Sequence, residues 1–127
     1  MDSKKPFSVK ARIQSFVYAF AGLKTFFRNE HNSRIHLFSA IITVICGALV
    51  HLDKYEWCII VFAIGLVIMA EIFNTAIEAL TDIVSPNFNL IAKRVKDMSA
   101  AAVLIAAITA VILGAIVFIP RIIGLLN

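Results

Sequence analysis

Residues 98–119 read MSAAAVLIAAITAVILGAIVFI, a stretch without one charged side chain. Wound as a helix at 1.5 Å per residue it is about 33 Å long, matching a bilayer core of ~30 Å. Two further stretches have the same character. One runs from Ile35 to Leu52, and another begins at Trp57 and continues through EIFNTAIEALTDIV without a helix breaker. Hydrophobic residues make up 61% of the 127 positions and charged residues 16%, with a mean hydropathy of +0.91. Soluble domains sit near 45–50% and 25%. A chain this short cannot hide that much apolar surface in a core of its own. The expectation is an all-α integral membrane protein of one domain, 1–127. It has a cytoplasmic, interfacial helix within 1–34 and spans at about 35–52, 56–84 and 98–119. A multidomain enzyme, a disordered chain and a disulfide-stapled miniprotein are excluded.

The net charge of +4 does not point to nucleic acid. Seven of the twelve Lys and Arg precede residue 35, and three more cluster at Lys93, Arg94 and Lys96. Only Lys54 and Arg121 lie elsewhere. This is the bias that orients a membrane protein, with the amino terminus and the loop at Lys93–Lys96 cytoplasmic. The carboxyl end and HLDKYEW then lie outside a bacterial inner membrane, with Tyr55 and Trp57 as an aromatic belt. Cys46 and Cys58 fall in apolar stretches without CxxC spacing and read as small packing residues. The first 34 residues carry too many charges for a cleavable signal peptide. Within them Ile13, Phe16, Val17, Phe20, Leu23 and Phe27 recur at helical spacing, which predicts an amphipathic helix lying in the inner interface.

The second span carries the anomaly. Glu71, Asn74, Glu78 and Asp82 are spaced 3, 4 and 4 apart, so a helix gathers them within roughly 80° of arc. A carboxylate inside a span costs at least ~2.5 kcal/mol and is a functional candidate by default. Counting from Trp57, Glu71 lies about 21 Å along the helix, still in the inner leaflet, and Glu78 about 31 Å, at cytosolic water. A carboxylate at that boundary can take a proton from an alcohol held among lipid chains. Carboxylates further out can hold Mg²⁺ against phosphates. Lys96 and Asp97 fall on the same side, where a lysine can neutralise polyphosphate charge. Glu30 and Arg34 in RNEHNSR lie at the same level. These parts suit phosphoryl transfer from a soluble nucleotide to a membrane alcohol. Two rivals remain at this point. One is a proton or ion relay, which needs acids along the full depth, and none lies between Trp57 and Glu71. The other is a structural subunit, whose charges would pair with one another within the bundle.

The stretch AEIFNTAIEALTDIVSPNFNLIAKRVKDMSAAAVLIAA resembles the signature of the small prokaryotic diacylglycerol kinase family, which includes undecaprenol kinases. The family pattern is a Glu-x-x-Asn-[Ser/Thr]-Ala-Ile-Glu-Ala-x-x-Asp helix followed by Ala-Lys-Asp-Met-x-[Ser/Ala]-Ala-Ala-Val. Gly22-Leu23-Lys24 and Asn29-Glu30 are similar to its upstream elements, and Val95 replaces a small residue before Lys96. The resemblance covers nearly the whole chain. It implies a homotrimer with sites shared between subunits, ATP as phosphoryl donor and Mg²⁺ as cofactor. It implies Glu71 as general base, Glu30 and Glu78 as metal ligands, and Tyr18, Asn74, Asp82, Lys96 and Asp97 at the nucleotide.

Two departures bear on the acceptor. Diacylglycerol-specific members carry an arginine in the first helix where Ala11 aligns here, with Arg12 one residue on. They also carry a glutamate where this chain has His36. The Arg34-x-His36 pair resembles the undecaprenol kinase branch, which puts Arg34, His36 and Glu71 at the lipid acceptor. Undecaprenol is the expected acceptor and diacylglycerol the alternative.

Overall fold

The computed structural model describes residues 8–126. They form four helices: α1 (Val9–Asn29), α2 (His31–Leu49), α3 (Lys54–Val84) and α4 (Leu90–Leu126). The last three are long and apolar enough to cross a membrane. α3 and α4 pack most extensively, α2 packs against α3, and α1 touches α2. Even in α3 only 22% of the most apolar 18 residues are buried within the chain. Apolar side chains therefore cover the outside, as lipid-facing helices require.

Each helix end has a local cause. The Ser8 hydroxyl accepts the Ala11 N–H at the start of α1. At Glu30 the backbone turns extended, with φ −94° and ψ 124°, and separates α1 from α2. The fully buried Ser33 hydroxyl braces this corner, 2.7 Å from the Glu30 carbonyl and 3.0 Å from that of Phe26. α2 closes in a Schellman turn: the Leu52 N–H reaches the Gly47 carbonyl and the His51 N–H that of Ala48. His51 takes the left-handed conformation, φ 51°, that this turn demands. Asp53 then caps α3 reciprocally with Glu56. Asn89 caps α4, its Oδ1 accepting the N–H groups of Ile91 and Ala92.

The buried stripe of α3 is Ile60, Ala63, Val67 and Glu71, spaced 3, 4 and 4 like a coiled-coil seam. Asn74, Glu78 and Asp82 continue the same spacing. The acidic face is thus the extension of the packing seam. Against it α4 buries Ser99, Ala106 and Val117. In lipid the hydrophobic effect does not drive helices together, so close approach over small residues and interhelical hydrogen bonds must.

Three helix ends differ from the limits of the apolar stretches. The apolar stretch 98–119 is the middle of α4, which begins eight residues earlier because Asn89 caps it and KRVKD is helix-forming. Pro120 does not stop it either. Proline there removes one backbone donor, and the helix continues to Leu126. The first apolar stretch, in turn, yields its last residues to the turn, since α2 ends at Leu49.

Candidate active site

Glu71 is 4% exposed, on the face of α3 that meets α2. Its Oε1 lies 2.9 Å from Nε2 of His36, one and a half turns into α2. One turn further along α3, the Asn74 amide donates to Oε1 of Glu78 at 3.2 Å and accepts from the Ser99 hydroxyl of α4 at 2.7 Å. At the end of α3, Nζ of Lys96 donates to Oδ1 of Asp82 at 2.6 Å. Exposure to solvent increases along the row: Glu71 is buried, Asn74 and Glu78 are half-buried, and Asp82 is exposed.

The structure thus joins Glu71 with His36, Asn74 with Glu78, and Asp82 with Lys96. Asp97 turns to Lys93, 2.6 Å away within α4. The Arg34 guanidinium donates to the Arg28 carbonyl at 2.5 Å. Glu30 sits half-buried at the α1–α2 corner, where its backbone closes the turn. Tyr18 is 67% exposed on α1. Among the described residues no hydrogen bond ties Glu30's carboxylate or Tyr18 to the α3 row, and no three His, Cys, Asp or Glu gather as metal ligands.

Sequence reasoning overlooked Ser99. Its signal was its place one turn beyond Lys96, on the same face of α4. It also left Arg121 as a stray cation. That guanidinium grips Glu56 through Nε at 2.9 and 3.0 Å and through Nη2 at 2.6 Å, and reaches Asp53 at 3.3 Å. At this turn the N–H groups of Glu56 and Tyr55, with Arg121 adding to them, hold the Asp53 carboxyl below the ordinary 3.8.

A cleft of about 390 Å³ runs between α2, α3 and α4 from His36 to Phe118. Its walls include Ala63, Val67 and Gly114, with Ser39 and Thr43 as polar members beside His36. Both hydroxyls donate to their own helix, Ser39 to Ile35 and Thr43 to the Ser39 carbonyl. The cleft is therefore an apolar channel with its polar end at the Glu71–His36 pair.

The sequence profile of the prokaryotic diacylglycerol kinases matches residues 17–118. The chain belongs to that family. It is accordingly a lipid kinase and an integral membrane protein. An undecaprenol kinase of Bacillus subtilis (strain 168) is 38% identical over 122 residues, covering 95% of this chain and 99% of its own length. A diacylglycerol kinase of Synechocystis is 36% identical over 113 residues, 88% of this chain and 65% of that protein. A diacylglycerol kinase of Escherichia coli (strain K12) is 33% identical over 100 residues, 79% of this chain and 82% of its own. The family match contains every candidate site residue from Tyr18 to Asp97. It excludes Arg121.

Proposed function

We propose that this kinase transfers the γ-phosphoryl group of ATP to the hydroxyl of a membrane lipid alcohol, with undecaprenol preferred to diacylglycerol. One observation carries the reading. The α3 seam passes from an apolar cleft, through a buried carboxylate, to exposed charged groups, so it suits a greasy alcohol at one end and a polyphosphate at the other. Glu71 serves as general base. Its carboxylate takes the hydroxyl proton as the alcohol oxygen bonds to the γ-phosphorus. The bond from that phosphorus to the bridging oxygen breaks, and ADP leaves.

Asn74, Asp82, Lys96, Asp97 and Tyr18 hold the nucleotide, Lys96 exchanging Asp82 for phosphate oxygens. Glu30 and Glu78 are the proposed Mg²⁺ ligands. Mg²⁺ commonly takes only one or two carboxylates beside waters and substrate phosphates, so this donor set fits in kind and number. When bound, the ion offsets phosphate charge in the transition state. Arg34 and His36 flank the acceptor. A homotrimer with shared sites is part of the proposal. It is supported by α1, which carries Tyr18 and leads into Glu30, packing within its own chain mainly on α2. The Lys and Arg bias supports a cytosolic nucleotide side and an outer carboxyl end.

The acceptor reading rests on the bare walls of the cleft. A prenol presents one hydroxyl on a long apolar chain, whereas diacylglycerol adds ester carbonyls that Ser39 and Thr43 are not turned to meet. Apolar packing discriminates by about 1–3 kcal/mol per methylene-scale change, so a preference is expected, not exclusivity. Purified protein in mixed micelles, given ATP, Mg²⁺ and each lipid alcohol in turn, tests this. Higher kcat/KM for undecaprenol and slower turnover of diacylglycerol are expected. The reverse order would overturn the acceptor, and no lipid phosphate from any alcohol would overturn the reaction.

A further inference from the structure

We infer that His36 is a positioning residue for the kinase reaction, donating its Nε2–H to one oxygen of Glu71 so that the other faces the acceptor hydroxyl. The inference rests on Glu71 being the base. A carboxylate 4% exposed needs a hydrogen-bond donor, because an unpartnered buried charge is costly. The neighbouring donors are committed elsewhere. The Asn74 amide goes to Glu78, the Ser99 hydroxyl to Asn74 or the Lys96 carbonyl, and the Ser39 and Thr43 hydroxyls to their own helix. His36 alone among these side chains places a nitrogen, Nε2, at hydrogen-bond distance from Glu71, from a different helix and 35 residues away in sequence.

Two features make this more than a structural tie. First, His36 also lines the cleft, so the pair lies where the cleft ends. Second, only with the shared proton on the imidazole is Glu71 a carboxylate, the form that can act as the base. If Glu71 carried it, the neutral carboxyl could still accept a hydrogen bond from the alcohol but would be far too weak a base to take its proton. With Nε2 carrying it, Oε1 is fixed and Oε2 keeps its lone pairs for the substrate proton. During transfer the hydroxyl proton passes to Oε2, and the imidazole keeps its own throughout. Its work is orientation, and a base displaced by about 1 Å loses on the order of 100-fold in rate.

The test compares H36Q, whose longer amide keeps an N–H within reach of Glu71, with H36N, which withdraws it, and with E71Q and the double variant H36N/E71Q. Turnover and both KM values are measured, and folding is checked by thermal unfolding in detergent. H36N is expected to lower kcat about 10- to 100-fold with both KM values within about threefold. H36Q is expected to recover most of that loss, and H36N to add nothing in the E71Q background. Equal losses in H36N and H36Q, or a loss that multiplies with that of E71Q, would overturn the inference. So would native kcat in H36N beside an inactive E71Q. An active E71Q would instead overturn the base assignment itself. If H36N does not fold, H36Q decides: near-native kcat with an unchanged acceptor KM supports the tie to Glu71, and a raised acceptor KM or a lost kcat overturns it.

Discussion

Arg121 holds Glu56 at one end of the α3–α4 pair, and Lys96 holds Asp82 at the other. The two ties lie roughly 38 Å apart along each helix at 1.5 Å per residue. Both pairs form in one register of the two antiparallel helices, the Lys96 tie holding until that side chain turns to phosphate. Between them the seam carries Glu71, Asn74 and Glu78, so the register of the pair is also the register of the site. Ser99 supplies the inner check, its hydroxyl joining α4 to Asn74 only when the two helices are in step.

Glu71→Gln keeps the side-chain volume and the contact with His36 but removes the proton acceptor. Turnover is expected to fall about 10²- to 10⁴-fold with ATP binding retained. Steady-state rates beside nucleotide binding by calorimetry check this. More than half of native turnover would remove Glu71 from the base role.

Glu30→Ala and Glu78→Ala are expected to raise the Mg²⁺ concentration needed for half-maximal rate, with excess Mg²⁺ restoring part of the activity of at least one. A metal titration of each variant reads this directly. Unchanged metal dependence in both would return the two carboxylates to a structural role.

Gly47→Ala is expected to destabilise the protein. A Cβ there would lie 2.9 Å from Cδ1 of Leu52 and 3.0 Å from the Trp57 ring. Overpacking of this kind costs about 1–3 kcal/mol, against about 1 kcal/mol gained from helix propensity, leaving a net loss on the order of 1 kcal/mol. Unfolding by denaturant in mixed micelles measures it, and a stabilised variant would contradict the packing at this corner.

Asp53 gives a pH prediction. Its folded pKa lies below 3.8, held there by the Glu56 and Tyr55 N–H groups and then by Arg121. Its contribution to stability is therefore fully present above 3.8 and lost as pH falls through the depressed folded value. Asp53→Ala should be less stable than the native chain at neutral pH, with the gap closing on acidification below 3.8. A gap that stays constant through that range would exclude the carboxylate as its source.

The helices and the acidic face were legible because both follow from periodicity, and each stretch carries its own period. Pairings between helices were not, since His36 and Glu71 meet only once α2 and α3 have a defined register. Helix ends failed for a different reason. Hydropathy reports where lipid begins, whereas α4 begins where Asn89 supplies a cap and passes Pro120 because one lost hydrogen bond does not end a helix. Arg121 read as a leftover charge because its partners lie 65 residues back.

That separation orders the birth of the protein. The α2–α3 corner is made from groups a few residues apart, so it can close as soon as it is synthesised. Glu56 must wait for Arg121, and until that residue arrives it faces water with no counter-charge from α4. The last helix therefore enters beside a preformed hairpin that already displays the anion it will clasp. Its arginine finds a docking point on arrival, and the bundle is locked by the final piece to be translated among those that build it.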